Sequence, residues 1–247
     1  MRKKFSFWWQ AAVDLLFPRK PVCCFCGERE AEADLLCSKC LNFFTYFRQK
    51  DCCEKCGKFI EEGKICSDCL LHSRFFNGGR AAGPYEGLLR EAITAFKFRG
   101  QRKIGEILAE MMTEVLLADD RLRGVELVVP VPLGEERRRE RGYNQAEILA
   151  DGVAEKLFLP CYPPVLYRCR ETLPQRELRR EERWHNVRDA FAVREVELVR
   201  GKVVLLVDDV FTTGATADAC SAVLLQAGAK EVWVLTAAAG WDKGGLG

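Results

Sequence analysis

The sequence predicts an α/β protein built on a parallel sheet flanked by helices, with a small cysteine-rich module ahead of it. Three observations carry this reading. A strand–helix rhythm begins after Gly78-Gly79. Residues 203–207 form a five-residue apolar run that passes into two acids, a turn, a helix and a further apolar strand. Ten of the thirteen cysteines fall between Cys23 and Cys69. A continuous apolar run suits a strand buried on both faces of a parallel sheet, and clustered cysteines require either a disulfide framework or metal. The 247 residues accommodate a small module and a larger domain, and a composition 48% apolar and 30% charged fits a packed chain. A formal net charge of +2 supplies no whole-protein argument for nucleic acid or anionic lipid.

The first element expected is an amphipathic helix over residues 1–20. Basic residues open it, and Phe5, Phe7, Trp8, Trp9, Val13, Leu15 and Leu16 give it an apolar side that Gln10 and Asp14 interrupt. No small-residue cleavage site follows. Such a helix docks on the body of the protein, with a weak membrane-surface anchor as the alternative. No segment approaches the roughly 18 uninterrupted apolar residues of a membrane span. A cytoplasmic chain with reduced thiols is therefore expected, and its clustered cysteines point to metal rather than disulfides.

Residues 21–79 form the cysteine module. Four Cys-x-x-Cys pairs follow one another: Cys23/Cys26, Cys37/Cys40, Cys53/Cys56 and Cys66/Cys69. A two-residue spacer lets one tight turn aim both sulfurs at one metal, and two such turns complete a tetrahedral shell. The first two pairs and the last two have nearly the same spacing, which reads as a duplication. Duplication favours two sequential zinc sites, the first of Cys23, Cys26, Cys37 and Cys40, the second of Cys53, Cys56, Cys66 and Cys69. A cross-braced arrangement is the alternative, and iron–sulfur ligation would use the same thiolates. Four sulfurs per metal leave no position for water, so the role is structural. Cys24 and Cys52 adjoin ligands as spectators. Residues 1–80 carry 14 Lys and Arg against 10 Asp and Glu, a surplus that eight thiolates around two zinc ions cancel. Charge gives this module no case for nucleic acid.

Residues 80–247 form the larger domain. Residues 127–132 read as a buried strand and 144–158 have helical periodicity. The most informative stretch follows Gly201-Lys202, where the apolar run ends in Asp208-Asp209 and continues through Thr212-Thr213-Gly214-Ala215-Thr216 into a helix over 217–227. Ligands of open α/β folds bind beyond the carboxyl ends of the strands, where the two acids lie. Adjacent carboxylates accept hydrogen bonds from a vicinal hydroxyl pair. A helix N-terminus offers free N–H groups and a positive dipole end to a phosphate. Gly214 permits close backbone approach, and Thr212, Thr213 and Thr216 add hydroxyls.

This stretch resembles the 5-phosphoribosyl-1-pyrophosphate (PRPP) motif of type I phosphoribosyltransferases. The resemblance widens through the cysteine pairs, Tyr85-Glu86-Gly87, Phe96-Lys97-Phe98-Arg99-Gly100, Val129-Pro130-Val131-Pro132-Leu133, Arg141-Gly142-Tyr143-Asn144-Gln145 and Pro174-Gln175 with Arg183 and Asn186. That order is similar to the ComF (competence protein F) family, double-zinc-ribbon proteins with an amidophosphoribosyltransferase-like domain. The resemblance implies PRPP with magnesium at Asp208, Asp209, Thr212, Thr213, Gly214, Ala215 and Thr216. It also implies a link to DNA uptake, with a DNA-processing partner or single-stranded DNA.

In such folds pyrophosphate lies after residues 131–133, so Arg137 and Arg141 are candidates, with Lys97 and Arg99 approaching from 96–100. An alternating charge run such as Glu135–Arg141 is equally a solvated helix face. Residues 168–188 hold seven arginines against four glutamates, where the family's flexible loop is expected. A lid there, with Arg183 over the reacting centre, would exclude water; an ordinary charged helix is the alternative. His72 reads as a surface residue rather than a spare ligand, and Cys220 as core. Phe43, Phe44, Tyr46 and Phe47 could stack on bases, though such spacing is commoner in a core. Two functions share the Asp208/Asp209 site. One is an enzyme moving phosphoribosyl onto an amine or base; the other is a PRPP- or nucleotide-sensing binding protein acting on a DNA-processing partner.

Overall fold

The computed structural model describes residues 22–27, 31, 36–162, 165–170, 172 and 178–242. The expected helix over 1–20 and the Pro174-Gln175 pair lie outside them. Two compact units are distinguished, Met1–Phe43 and Phe44–Gly247.

In the second unit a four-stranded, all-parallel sheet is ordered β2 (Gly78–Ala81), β7 (Glu231–Ala239), β6 (Val203–Phe211), β3 (Leu127–Pro130). The first five residues of β6 are buried, as a central strand covered on both faces must be. Register places Asp208 opposite Thr236 of β7 and Pro130 opposite Val207. Helices α4 (Arg102–Leu117) and α6 (Gln145–Leu157) pack on each other. Beneath them α4 covers β7 and β2, while α6 covers β3 and β6. On the other side α9 (Ala215–Gln226) packs on β6 and β7, with an antiparallel hairpin of β4 (Leu166–Arg168) and β5 (Phe191–Val193) against it. This is the parallel sheet flanked by helices that the apolar runs predict.

α6 begins and ends where its sequence says. The Asn144 side chain accepts from Ala146 N–H, capping the first turn. Phe158 closes the helix in the left-handed conformation at φ 55°. The charged run Glu135–Arg141 is α5, a helix with no buried residue.

The second cysteine set belongs to the unit that carries the sheet. Its strand β1 (Phe59–Ile60) pairs in parallel with β8 (Trp241–Asp242), which follows β7 after one residue. Phe59 is buried against Trp241, with ring centroids 5.9 Å apart. Asp242 accepts from Ser67 N–H at 2.5 Å, at the start of α2 (Ser67–Leu71). Inside the ribbon Lys58 and Asp68 form an ion pair, 9% and 1% exposed, so that neither charge is left uncompensated in the interior.

Candidate functional site

The eight cysteines form two sets, Cys23/Cys26/Cys37/Cys40 and Cys53/Cys56/Cys66/Cys69, with the sulfurs of each within 4.8 Å of one another. The pairing is sequential. Sulfur pairs Cys23–Cys40, Cys26–Cys37 and Cys56–Cys66 stand 3.7, 3.8 and 3.5 Å apart. Tetrahedral zinc with bonds of about 2.3 Å sets its sulfurs roughly 3.8 Å apart, whereas a disulfide needs about 2.05 Å. Both sets therefore fit zinc. Six of the eight are buried, which suits closed structural centres. Cys24, Cys52 and His72 fall outside both sets. The His72 ring lies 4.9 Å from that of Trp184, on α7 (Arg180–Val187).

The acids at the end of β6 are half-buried and differ from each other. Lys97 Nζ reaches Asp209 Oδ1 at 2.8 Å, with side chains only 16% and 14% exposed. Lys97 comes from the last turn of α3 (Gly87–Phe98), so the 96–100 segment does approach the acidic pair. Asp208 accepts from the backbone N–H of Asp209 at 2.8 Å. Burial, then the neighbouring Asp209 charge, pushes its carboxyl up to about 7; that N–H, Lys97 and Arg168 oppose the rise. The site thus holds one ion-paired carboxylate beside one that ionises near neutrality.

Beyond them the chain turns sharply. Phe211 is buried, Thr213 is 5% exposed and Gly214 adopts φ 83°, opening the 12-residue helix α9. A Cβ on Gly214 would stand 2.4 Å from Phe211 Cζ, so the turn closes on the Phe211 ring in a way only glycine allows. The Thr213 hydroxyl accepts from Ala215 N–H at 3.4 Å. Ala215 is buried, whereas Thr212 and Thr216 are half-buried. Cys220, one turn into α9, is fully buried core.

The remaining candidates divide. Arg141 lies over the Phe98 ring at 4.9 Å and donates to Gln145 Oε1 at 2.9 Å. The Tyr143 hydroxyl donates to the Phe96 carbonyl oxygen, so the 96–100 and 141–145 segments pack together. Arg137 donates to the Thr172 carbonyl oxygen at 3.5 Å, and Arg183 Nε to that of Leu178 at 3.3 Å. Neither has a recorded bond to the acids. Arg168, on β4, was not singled out by sequence, yet its charge acts on Asp208. In the sequence it is one of seven arginines in 168–188, and the strand that carries it is seen only in the fold. Of the four aromatics near residue 45, Phe44 and Phe47 are buried and Tyr46 is 54% exposed. A cavity of about 590 Å³, lined among others by Phe47, Cys52, Phe59, Arg80 and Asp119, includes none of the acidic-site residues.

Residues 12–70 match the double zinc ribbon domain. Competence protein F of Haemophilus influenzae is 32% identical over 80% of this chain and 86% of its own length. The DNA utilization protein YhgH of Salmonella typhimurium is 30% identical over 81% and 89%. Among solved structures, the glutamine PRPP amidotransferase from B. subtilis complexed with ADP and GMP is 22% identical over 53% of this chain and 26% of that one, with a TM-score of 0.36. Among the described residues no helix is long and apolar enough to cross a membrane.

Proposed function

The chain belongs to the competence protein F family, and from that premise we propose that its acidic site binds PRPP with magnesium in the service of DNA uptake or utilisation. The observation that carries the reading is the pair of consecutive carboxylates at the end of a buried central strand, followed at once by a glycine turn into a helix N-terminus. Asp208 and Asp209 hold the ribose hydroxyls. The backbone N–H groups of 212–216 and the helix dipole hold the 5-phosphate. Magnesium takes oxygen ligands, which the two carboxylates and the substrate's phosphates supply between them.

Lys97 neutralises Asp209 and leaves Asp208 to become the free charge when it ionises. Arg137, Arg141 and Arg168 lie on segments suited to drawing pyrophosphate away from the sugar. Arg183 and the basic stretch around it close over the site and keep water from the sugar. Transfer of phosphoribosyl to an amine or base then follows without a protein nucleophile. The zinc ribbons hold the fold and offer a surface to a DNA-processing partner or to single-stranded DNA.

The second reading, a PRPP- or nucleotide-sensing protein without turnover, is favoured by one observation. Among the described residues, no histidine lies beside the acids to serve as general base: His72 stacks on Trp184 and His185 sits on α7. A pyrophosphate-release assay separates the two. With magnesium, PRPP and ammonia or nucleobases as acceptors, release that Asp208→Asn abolishes means transfer; binding with no release means sensing.

A further inference from the structure

Helix α7 is eight residues long, and its sequence Arg-Glu-Glu-Arg-Trp-His-Asn-Val offers only Trp184 and Val187 as large apolar side chains. A helix this short does not hold itself in water, so its place is set by what those side chains touch. They stand three apart and share a face. Val187 is 1% exposed, and the helix packs on α9. Trp184 meets the segment that leaves the second cysteine set for β2. The His72 ring lies 4.9 Å from it and the Arg74 guanidinium 4.7 Å. Its indole Nε1 is buried with no hydrogen-bond partner, so contacts with the ring, and not the N–H, hold the side chain.

Arg74 also reaches the turn that opens α9. Its Nη2 donates to the Thr213 carbonyl oxygen at 3.0 Å. Thr213 is 5% exposed, and Gly214 follows it at φ 83°. Asp218, on the first turn of α9, supplies the counter-charge. It is 6% exposed, accepts from Phe75 N–H at 2.7 Å and lies within reach of the Arg74 charge. The guanidinium is thus held at the turn by Thr213 and Asp218 while it lies over Trp184. One side chain touches both the turn and the helix that carries Arg183.

We propose that Trp184 is a positioning residue: lying on Arg74, it ties α7 and Arg183 to the turn 212–216, so that ordering the turn and docking α7 stabilise each other. The helix that carries Arg183 then moves with the turn rather than apart from it. Linkage makes the coupling reciprocal, and whatever holds the turn also holds α7. The consequence for a bound ligand rests on the PRPP reading; the coupling of turn and helix does not.

Arg74→Ala would strip Asp218 of its cation, so the variants that decide the matter change Trp184 and leave Arg74 with Thr213 and Asp218. Amide hydrogen exchange is followed on the full zinc-loaded chain over 212–218 and 181–187. Helix α4 is the check on folding, and Phe158→Ala, at a residue 95% exposed, is the reference. Trp184→Leu keeps apolar bulk and loses the ring. It is expected to speed exchange at the turn by about two- to thirty-fold, the range for a cation over an aromatic ring. Trp184→Phe keeps an aromatic face for the guanidinium and stays within about twofold of wild type. Arg74→Ala speeds both segments. The double variant Arg74→Ala/Trp184→Leu exchanges at the turn no faster than Arg74→Ala, since residues in contact are not additive.

A turn as protected in Trp184→Leu as in wild type overturns the proposal. So does a Trp184→Phe variant no better than Trp184→Leu, which would reduce Trp184 to bulk. If Trp184→Leu loses α4 protection, exchange of α7 in Arg74→Ala decides instead, and a rate equal to wild type overturns it. PRPP with magnesium is the separate arm. It is expected to slow exchange of α7 in wild type and to do so less in Trp184→Leu; equal slowing overturns the ligand half. Absence of PRPP binding by wild type would refute the PRPP reading and leave the exchange result standing.

Discussion

Replacing Gly214 by alanine attacks the turn that joins the acids to the helix N-terminus. Two costs can be read from the geometry. The residue sits at φ 83°, and holding an L side chain in the left-handed region costs about 1–2 kcal/mol. The new Cβ would also meet Phe211 Cζ at 2.4 Å and both ring Cε atoms at 3.1 Å. That ring is 3% exposed and packs edge-on against Phe76, so it cannot swing away. Overpacking of this kind costs about 1–3 kcal/mol. Together the loss is about 2–5 kcal/mol, a large share of the 5–15 kcal/mol of an ordinary domain. For a unit of this size it lowers the melting temperature by about 4–20 °C. Gly142 is the internal comparison, because it has φ 77° but nothing within 4 Å of an added Cβ. Gly142→Ala therefore carries the backbone cost alone. Urea and thermal melts of the two variants measure the difference. Equal losses, or a Gly214→Ala loss below about 0.5 kcal/mol, the usual range of a surface change, would refute the packing argument.

Asp208 gives a pH prediction whose sign follows from burial. Its carboxyl is raised to about 7, so the folded state holds that proton more tightly than the unfolded chain. The group's contribution to stability is complete below the ordinary carboxylate range and is lost as pH rises through about 7, a trend that urea melts of Asp208→Asn should lack. Binding runs the other way: affinity for magnesium and PRPP rises through the same interval and levels off above it, as titrations at pH 6 to 8 would register. Lys97→Met leaves Asp209 partly buried without its cation. Because both groups retain some exposure, the loss should approach but not reach the roughly 3–5 kcal/mol of a fully buried pair, measured by denaturant melts. Metal analysis should find two zinc ions per chain, and chelation should melt the ribbon strand β1 and expose Trp241, read as a red shift in tryptophan fluorescence.

Sequence made the centre of the fold plain because its signals are local. Five apolar residues, two acids and a glycine turn specify β6, the turn and the start of α9 with no help from distant parts of the chain. The cysteine pairs were as plain in their spacing, although spacing left a cross-braced pairing open and the fold is what brings Cys23, Cys26, Cys37 and Cys40 together and Cys53, Cys56, Cys66 and Cys69 together. Contacts across the chain were not. Gly78-Gly79 reads as a junction between modules, yet it lies in β2, an edge strand of the sheet. A Cβ at Gly78 would stand 2.5 Å from the Trp233 ring, so the glycine answers to a side chain 155 positions away. The parallel pairing of Phe59 with Trp241, two residues beside two, has no periodicity to reveal it. Lys97 was singled out by its aromatic neighbours and does reach Asp209. Charge alone did not reveal what Arg137 and Arg183 touch, which is the carbonyl oxygen of Thr172 for one and of Leu178 for the other.

Calorimetric titration of the zinc-loaded protein with PRPP, with and without magnesium, tests the central claim most directly when run beside an Asp208→Ala/Asp209→Ala variant. The account predicts binding that requires magnesium and disappears in the variant, while the variant keeps its zinc and its cooperative melt. Absence of binding by the folded wild type, or equal binding by the variant, would contradict it.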